Sequence, residues 1–204
     1  MIAVLLALAL FWRAAASAWV DSLYGGNRDI LEYPARPGRS WRGTFLTGSF
    51  FLLALWLSAR PLGPGDFLAR FLLGNFLCLT LVTDFEQHLI FDRMLLPLGL
   101  CALPFFCTLG WPVLSHALGA IAGGGLFFLL ALLTRGAIGG GDVKLVFLLG
   151  LWLGAEAMVR ILAGGFILSG LAAGVMLLSG RWGMRERFAY SPYFSLLALW
   201  EIVS

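Results

Sequence analysis

The chain has 204 residues, 60% of them hydrophobic and 12% charged, with a formal net charge of +3 and a mean hydropathy of +0.91. Soluble domains are about a quarter charged, and a chain of this length encloses too small a core to bury so much apolar side chain, so a soluble globule is excluded and the lipid bilayer becomes the first partner. No basic stretch is interleaved with exposed aromatics, which excludes a nucleic-acid partner.

Met1 to about Val20 is the first apolar segment. Ala14 to Ala18 is similar to the small-residue cleavage site of a signal peptide. However, no Lys or Arg precedes the apolar run and the basic residues follow it, which favours a first span with its N-terminus outside. Arg13 then lies inside that span, either snorkelling to the interface or held in a buried ion pair. Residues 21–42 read as a short, basic, irregular cytoplasmic loop with Arg28, Arg36, Arg39, Arg42, Pro34 and Pro37. The second span is expected from Thr44 to about Ala59, followed by a tight outer turn over Arg60 to Asp66. The third runs from Phe67 to Thr83 and opens into a short polar loop, Asp84 to Arg93. The fourth runs from Met94 to about Leu109, and Gly110-Trp111-Pro112 turns the chain with Trp111 at interfacial depth.

The fifth span, from Val113 to Leu133, carries Gly123-Gly124-Gly125. The sixth runs from Val143 to about Met158, with an outer turn near Glu156 to Arg160, and the seventh from about Ile161 to Ser179. Gly170 and Gly174 of the seventh form a GxxxG pair, and these glycines read as helix-packing positions. A basic loop, Arg181 to Arg187, precedes a short apolar segment from Phe188 to Ile202. The fold class is all-α: one integral-membrane domain over residues 1–204, a polytopic helix bundle of about eight transmembrane helices. Cys78, Cys101 and Cys107 lie in apolar stretches without a CxxC pair and read as buried small hydrophobes; they point neither to a metal site nor to a disulfide framework.

Charge sets the orientation. With the N-terminus outside, the inner loops hold Arg28, Arg36, Arg39, Arg42, Arg93, Arg135, Lys144, Arg181, Arg185 and Arg187, while Arg60, Arg70 and Arg160 fall outside. Ten against three, with Arg13 uncounted, satisfies the positive-inside rule. The same orientation places Asp84, at the end of the third span, and Asp142, at the start of the sixth, on the cytoplasmic side.

Asp142 follows Gly136-Ala137-Ile138-Gly139-Gly140-Gly141, and Val143-Lys144 follow it. Consecutive glycines admit φ > 0 and close backbone approach, and an acid at the edge of a span is costly enough to suggest function. Two neighbouring carboxylates share one proton, which supplies an acid and a base from two like side chains. Asp84 and Asp142 are therefore a candidate dyad; the alternative is a pair of cap or interface carboxylates facing water, since Asp is a good N-cap. Competing chemistry is poorly served. His88 and His116 fall on opposite sides, no Ser sits in GxSxG, and Lys144 is followed by Leu145 rather than Ser or Thr.

Gly139-Gly140-Gly141-Asp142-Val143-Lys144-Leu145 resembles the GxGDxKL signature of the type IV prepilin peptidases, the GxGD membrane aspartic proteases. Asp84 followed by Leu89-Ile90-Phe91-Asp92-Arg93 resembles that family's first motif, with Phe91 in place of the usual proline. Phe188 to Ala198 is similar to its closing segment, with Pro192 retained, so the resemblance covers the chain from about Phe67 onward. The N-terminal third departs. Ala16-Ser17-Ala18-Trp19-Val20 stands where the family has a Gly-Ser-Phe-x-Asn-like stretch, and the paired CxxC motifs that would follow Arg39-Ser40 are absent.

The resemblance implies an aspartic endopeptidase of the bacterial inner membrane that cuts the basic leader from prepilin or pseudopilin precursors, after a glycine, at the cytoplasmic face. Asp84 and Asp142 would be the dyad. Gly139, Gly140 and Gly141 would let backbone approach the substrate strand, and Lys144 would hold a carboxylate or sit at the interface. Asp92, with Glu86, His88 and Arg93, would shape or merely support the site. No metal or cofactor is implied; S-adenosylmethionine would enter only with an N-methyltransferase activity, which the missing cysteines leave open. The rival functions are a proton- or cation-coupled transporter using the same acids, and a non-catalytic partner in pilus or secretion assembly.

Overall fold

The computed structural model describes residues 2–31, 33, 40–134, 138–179 and 190–204. Pro34, Arg36, Pro37, Arg39, Arg135, Gly136, Ala137 and the stretch from Arg181 to Ala189 lie outside them. Secondary structure among the described residues is wholly helical: α1 (Ile2–Gly26), a 3-10 turn (Arg28–Ile30), α2 (Ser40–Ser58), α3 (Pro64–Gln87), α4 (Asp92–Thr108), α5 (Val113–Leu133), α6 (Gly140–Leu178) and α7 (Ser191–Val203). Four of these, α1, α3, α5 and α6, are each long and apolar enough to cross a bilayer. The chain divides into two compact units, residues 1–94 with 203 and residues 95–202 with 204.

In the first unit the helices run past the expected span ends. α1 continues from Val20 to Gly26 because Leu23 and Tyr24 are buried, joining Ala16, Val20, Leu46, Leu79, Val82, Phe91 and Met94 in one apolar core. Residues 21–26, expected in a loop, are therefore helical. α2 begins a turn early, at Ser40, and Arg42, expected in a solvated loop, is fully buried. α3 starts at Pro64, whose fixed φ and missing N–H suit a first helical turn, and continues through Gln87. The inner loop contracts accordingly to residues 88–91. Arg13 is exposed, with its guanidinium against Gly43 at the start of α2.

In the second unit α5 spans the expected residues, and the sixth and seventh expected spans follow as two arms of α6 on either side of Gly154. The 39 residues of α6 would rise about 58 Å as a straight rod, roughly twice the hydrocarbon thickness. It is not straight. Gly154 has φ 80° and ψ 175°, a conformation that interrupts the helix and favours glycine. Contacts with α5 give the sense of the break. Gly119 lies against Gly150 and Gly123 against Val146, an antiparallel register. Gly123 also lies against Met158, and Phe127 stacks on Phe166 at 5.8 Å, a parallel one. The arms 140–153 and 155–178 thus run in opposite directions along α5.

The reversal falls at Gly154 rather than in the expected polar turn near Glu156 to Arg160. Those charged residues belong to the second arm's first turns, where Arg160 pairs with Glu156 at 2.8 Å and with Glu201 of α7 at 2.8 Å. α7 closes the unit by setting Phe194 edge-on against Phe127 at 4.8 Å and over Gly165.

The packing glycines differ in part from expectation. A Cβ at Gly170 or Gly174 would meet nothing within 4 Å, so that GxxxG pair has no close neighbour. A Cβ at Gly119 would lie 2.7 Å from the Gly154 carbonyl carbon and 2.8 Å from the Gly150 oxygen, both backbone atoms that cannot rotate away. Gly119→Ala is therefore expected to destabilise the protein by about 1–3 kcal/mol and Gly170→Ala to be neutral, as read by thermal unfolding in detergent. Of the cysteines Cys78 is buried, whereas Cys107 is exposed on α4, contrary to its expected burial.

Candidate active site

Asp84 lies in the last turn of α3 and is buried, with 4% of its surface exposed. Its main-chain carbonyl accepts the His88 N–H at 2.8 Å, and His88 ends the helix in the left-handed region at φ 50°. A non-glycine residue there carries strain, which the surroundings must offset. The Tyr33 N–H donates to Gln87 Oε1 at 3.0 Å, and the Tyr33 ring lies 5.8 Å from that of His88. Tyr33 is thereby docked on the end of α3.

The opposite face of that turn carries a buried ionic cluster that the sequence reading does not assemble. Arg42 Nη2 donates to Glu86 Oε2 at 2.6 Å and Nε to Oε1 at 3.1 Å, a two-pronged contact. Arg42 Nη1 donates to Asp21 Oδ1 at 2.6 Å, the Tyr24 hydroxyl donates to Glu86 Oε2 at 2.9 Å, and the guanidinium lies 5.5 Å from the Tyr24 ring centre. Each charge has a partner, as a buried charge requires. Glu86 was read as part of a polar loop, and nothing local in the sequence identifies Arg42 as its partner.

Asp142 is half-buried in the first turn of α6, the third residue after the N-cap Gly139. It is not the cap itself, as the alternative reading had it. Its N–H donates to the Gly139 carbonyl at 3.1 Å, and Oδ2 lies 3.3 Å from where a Cβ on Gly139 would sit. The carboxylate thus folds back over the first turn, where the helix dipole favours an anion. Gly139 has φ −68°, and Gly140 and Gly141 are helical. The three glycines therefore do not use positive φ. What they provide is an N-terminal turn without side chains beside a carboxylate. Lys144 and Asp92 are exposed, the latter opening α4. Among the described residues no three His, Cys, Asp or Glu side chains gather in a group that could hold a metal ion.

The described residues thus form a polytopic all-helical membrane chain, with Asp84 ending one apolar helix and Asp142 opening another. The model of the type IV leader peptidase family matches residues 71–178, more than half of the chain and a stretch that includes Asp84 and Asp142, and the chain belongs to that family. A "Prepilin leader peptidase/N-methyltransferase" of Neisseria gonorrhoeae is 37% identical over 157 residues, 72% of this chain and 51% of the relative. One from Bacillus subtilis (strain 168) is 28% identical over 125 residues, 58% of this chain and 48% of the relative. The chain thus spans about half the length of these curated relatives. No solved structure matches it.

Proposed function

We propose that the chain is a membrane-embedded aspartic endopeptidase that removes the basic leader from type IV prepilin-like precursors at the cytoplasmic face of the bacterial inner membrane. The observation that carries this reading is the family match over residues 71–178, which takes in both acids. Asp84 and Asp142 act as a dyad sharing one proton. The ionised member takes a proton from water as the water oxygen attacks the scissile carbonyl carbon, and the protonated member donates to the carbonyl oxygen. Collapse of the tetrahedral intermediate breaks the C–N bond, and the leaving amine takes up a proton from the dyad.

Gly139, Gly140 and Gly141 leave room for the extended substrate backbone beside Asp142. Lys144, two residues after Asp142 in α6, and Asp92, at the start of α4, are supporting positions that orient the loops or the leader. The relatives' names also include an N-methyltransferase.

The test is cleavage of a prepilin precursor by the purified protein in proteoliposomes, with the products identified by mass. Release of the leader by hydrolysis after a glycine is expected. Intact precursor in the presence of folded protein would overturn the reading, and proton flux in the same vesicles without cleavage would place the chain among transporters.

A further inference from the structure

We propose that the buried Arg42–Glu86 pair, with Tyr24 and Asp21, is a positioning device that fixes the rotation of the last turn of α3 and so the direction in which Asp84 is presented. This inference rests on Asp84 being catalytic. Helix ends fray, and their final carbonyls lack intrahelical partners. A catalytic carboxylate in a final turn would lose its aim unless that turn were held.

Residues two apart on an α-helix point about 200° from one another, so Glu86 and Asp84 occupy opposite faces of the same turn. Glu86 is only 5% exposed and receives three hydrogen bonds, from Arg42 Nε, Arg42 Nη2 and the Tyr24 hydroxyl. Its donors come from two other helices: Arg42 from the start of α2 and Tyr24 from the end of α1. Asp21, a turn earlier on α1, holds the remaining edge of the guanidinium at 2.6 Å. Rotation of the turn about the helix axis would break all three bonds to Glu86 at once. A bidentate guanidinium fixes angle as well as distance, which a lysine would not. Gln87, held through the Tyr33 N–H, restrains the same turn from a further direction.

The consequence is kinetic rather than only structural. Misplacing a reacting group by about 1 Å costs on the order of 100-fold in rate. Glu86→Gln keeps the shape of the side chain and weakens the clamp; Tyr24→Phe removes a single hydroxyl and leaves the ion pair. Both are to be assayed in proteoliposomes on a synthetic precursor, beside Asp84→Asn and the charge-exchanged pair Arg42→Glu with Glu86→Arg. The expected result is a fall in kcat of about 100-fold for Glu86→Gln and a smaller fall for Tyr24→Phe, with KM within about twofold of the parent in both. A direct readout of placement accompanies it. Asp84→Cys, in a background with Cys78, Cys101 and Cys107 changed to alanine, is expected to change its rate of modification by a small methanethiosulfonate when Tyr24→Phe is added.

Unchanged kcat in Tyr24→Phe and Glu86→Gln, with an unchanged thiol modification rate, would overturn the inference while leaving the peptidase reading intact. Full activity of Asp84→Asn would instead overturn the peptidase reading. If Glu86→Gln does not accumulate, Tyr24→Phe decides on its own. Recovery of part of kcat in the charge-exchanged pair supports the clamp.

Discussion

Asp84→Asn and Asp142→Asn, each alone, are expected to lower precursor cleavage by about 10²–10⁴-fold while the protein still accumulates in the membrane. Asparagine keeps the size and hydrogen-bonding reach of the side chain but can neither take nor give the shared proton. If the two acids work as one unit, as proposed, the double variant should be little worse than either single one. An initial-rate assay on a purified precursor, with equal amounts of reconstituted protein, measures all three. Losses that multiply in the double variant would indicate two independent sites. The two positions differ in burial and in place: Asp84 is buried in the last turn of α3, and Asp142 is half-buried in the first turn of α6.

Arg42→Ala is expected to have the largest effect on stability. It leaves Glu86 buried with only the Tyr24 hydroxyl as a partner and removes the cation from Asp21. Breaking a buried ion pair from one side costs about 3–5 kcal/mol, because the remaining charge is uncompensated. That is a large part of the roughly 5–15 kcal/mol that holds a typical domain folded, so little protein should accumulate. Replacing both partners by apolar residues of similar volume, as in Arg42→Met with Glu86→Leu, removes the stranded charge and should restore accumulation. Quantitative immunoblotting of membranes, followed by thermal unfolding in detergent, checks both. Normal accumulation of Arg42→Ala would show that the cluster contributes little to folding.

Much of this arrangement was legible from residues alone. Composition led to an all-helical membrane protein. α5 ran over the expected residues, because Pro112 and the apolar run from Val113 mark it without competing signals. Asp84 and Asp142 were both found at helix ends, as expected from where apolar runs stop. The misreadings share one cause, that polarity was taken as a sign of loop. Asp21, Arg42 and Glu86 look like loop residues one at a time, yet together they satisfy each other and extend three helices. Arg160, Glu156 and Glu201 likewise form a helical ion-pair set where a turn was expected. A single glycine, Gly154, makes the reversal, two residues before Glu156. The same limit applies to Gly170 and Gly174: a motif of small residues does not say whether a second helix lies opposite.

The most direct test of the central claim is whether the two acids meet. Asp84→Cys and Asp142→Cys, combined in a background with Cys78, Cys101 and Cys107 changed to alanine, can be treated in native membranes with the shortest bis-methanethiosulfonate cross-linker. A dyad that activates one water requires side chains within hydrogen-bond reach of a common point. The account therefore predicts rapid cross-linking within the chain, slowed when precursor is added. Failure of the two thiols to cross-link, while each reacts singly with a monofunctional reagent of the same chemistry, would contradict it.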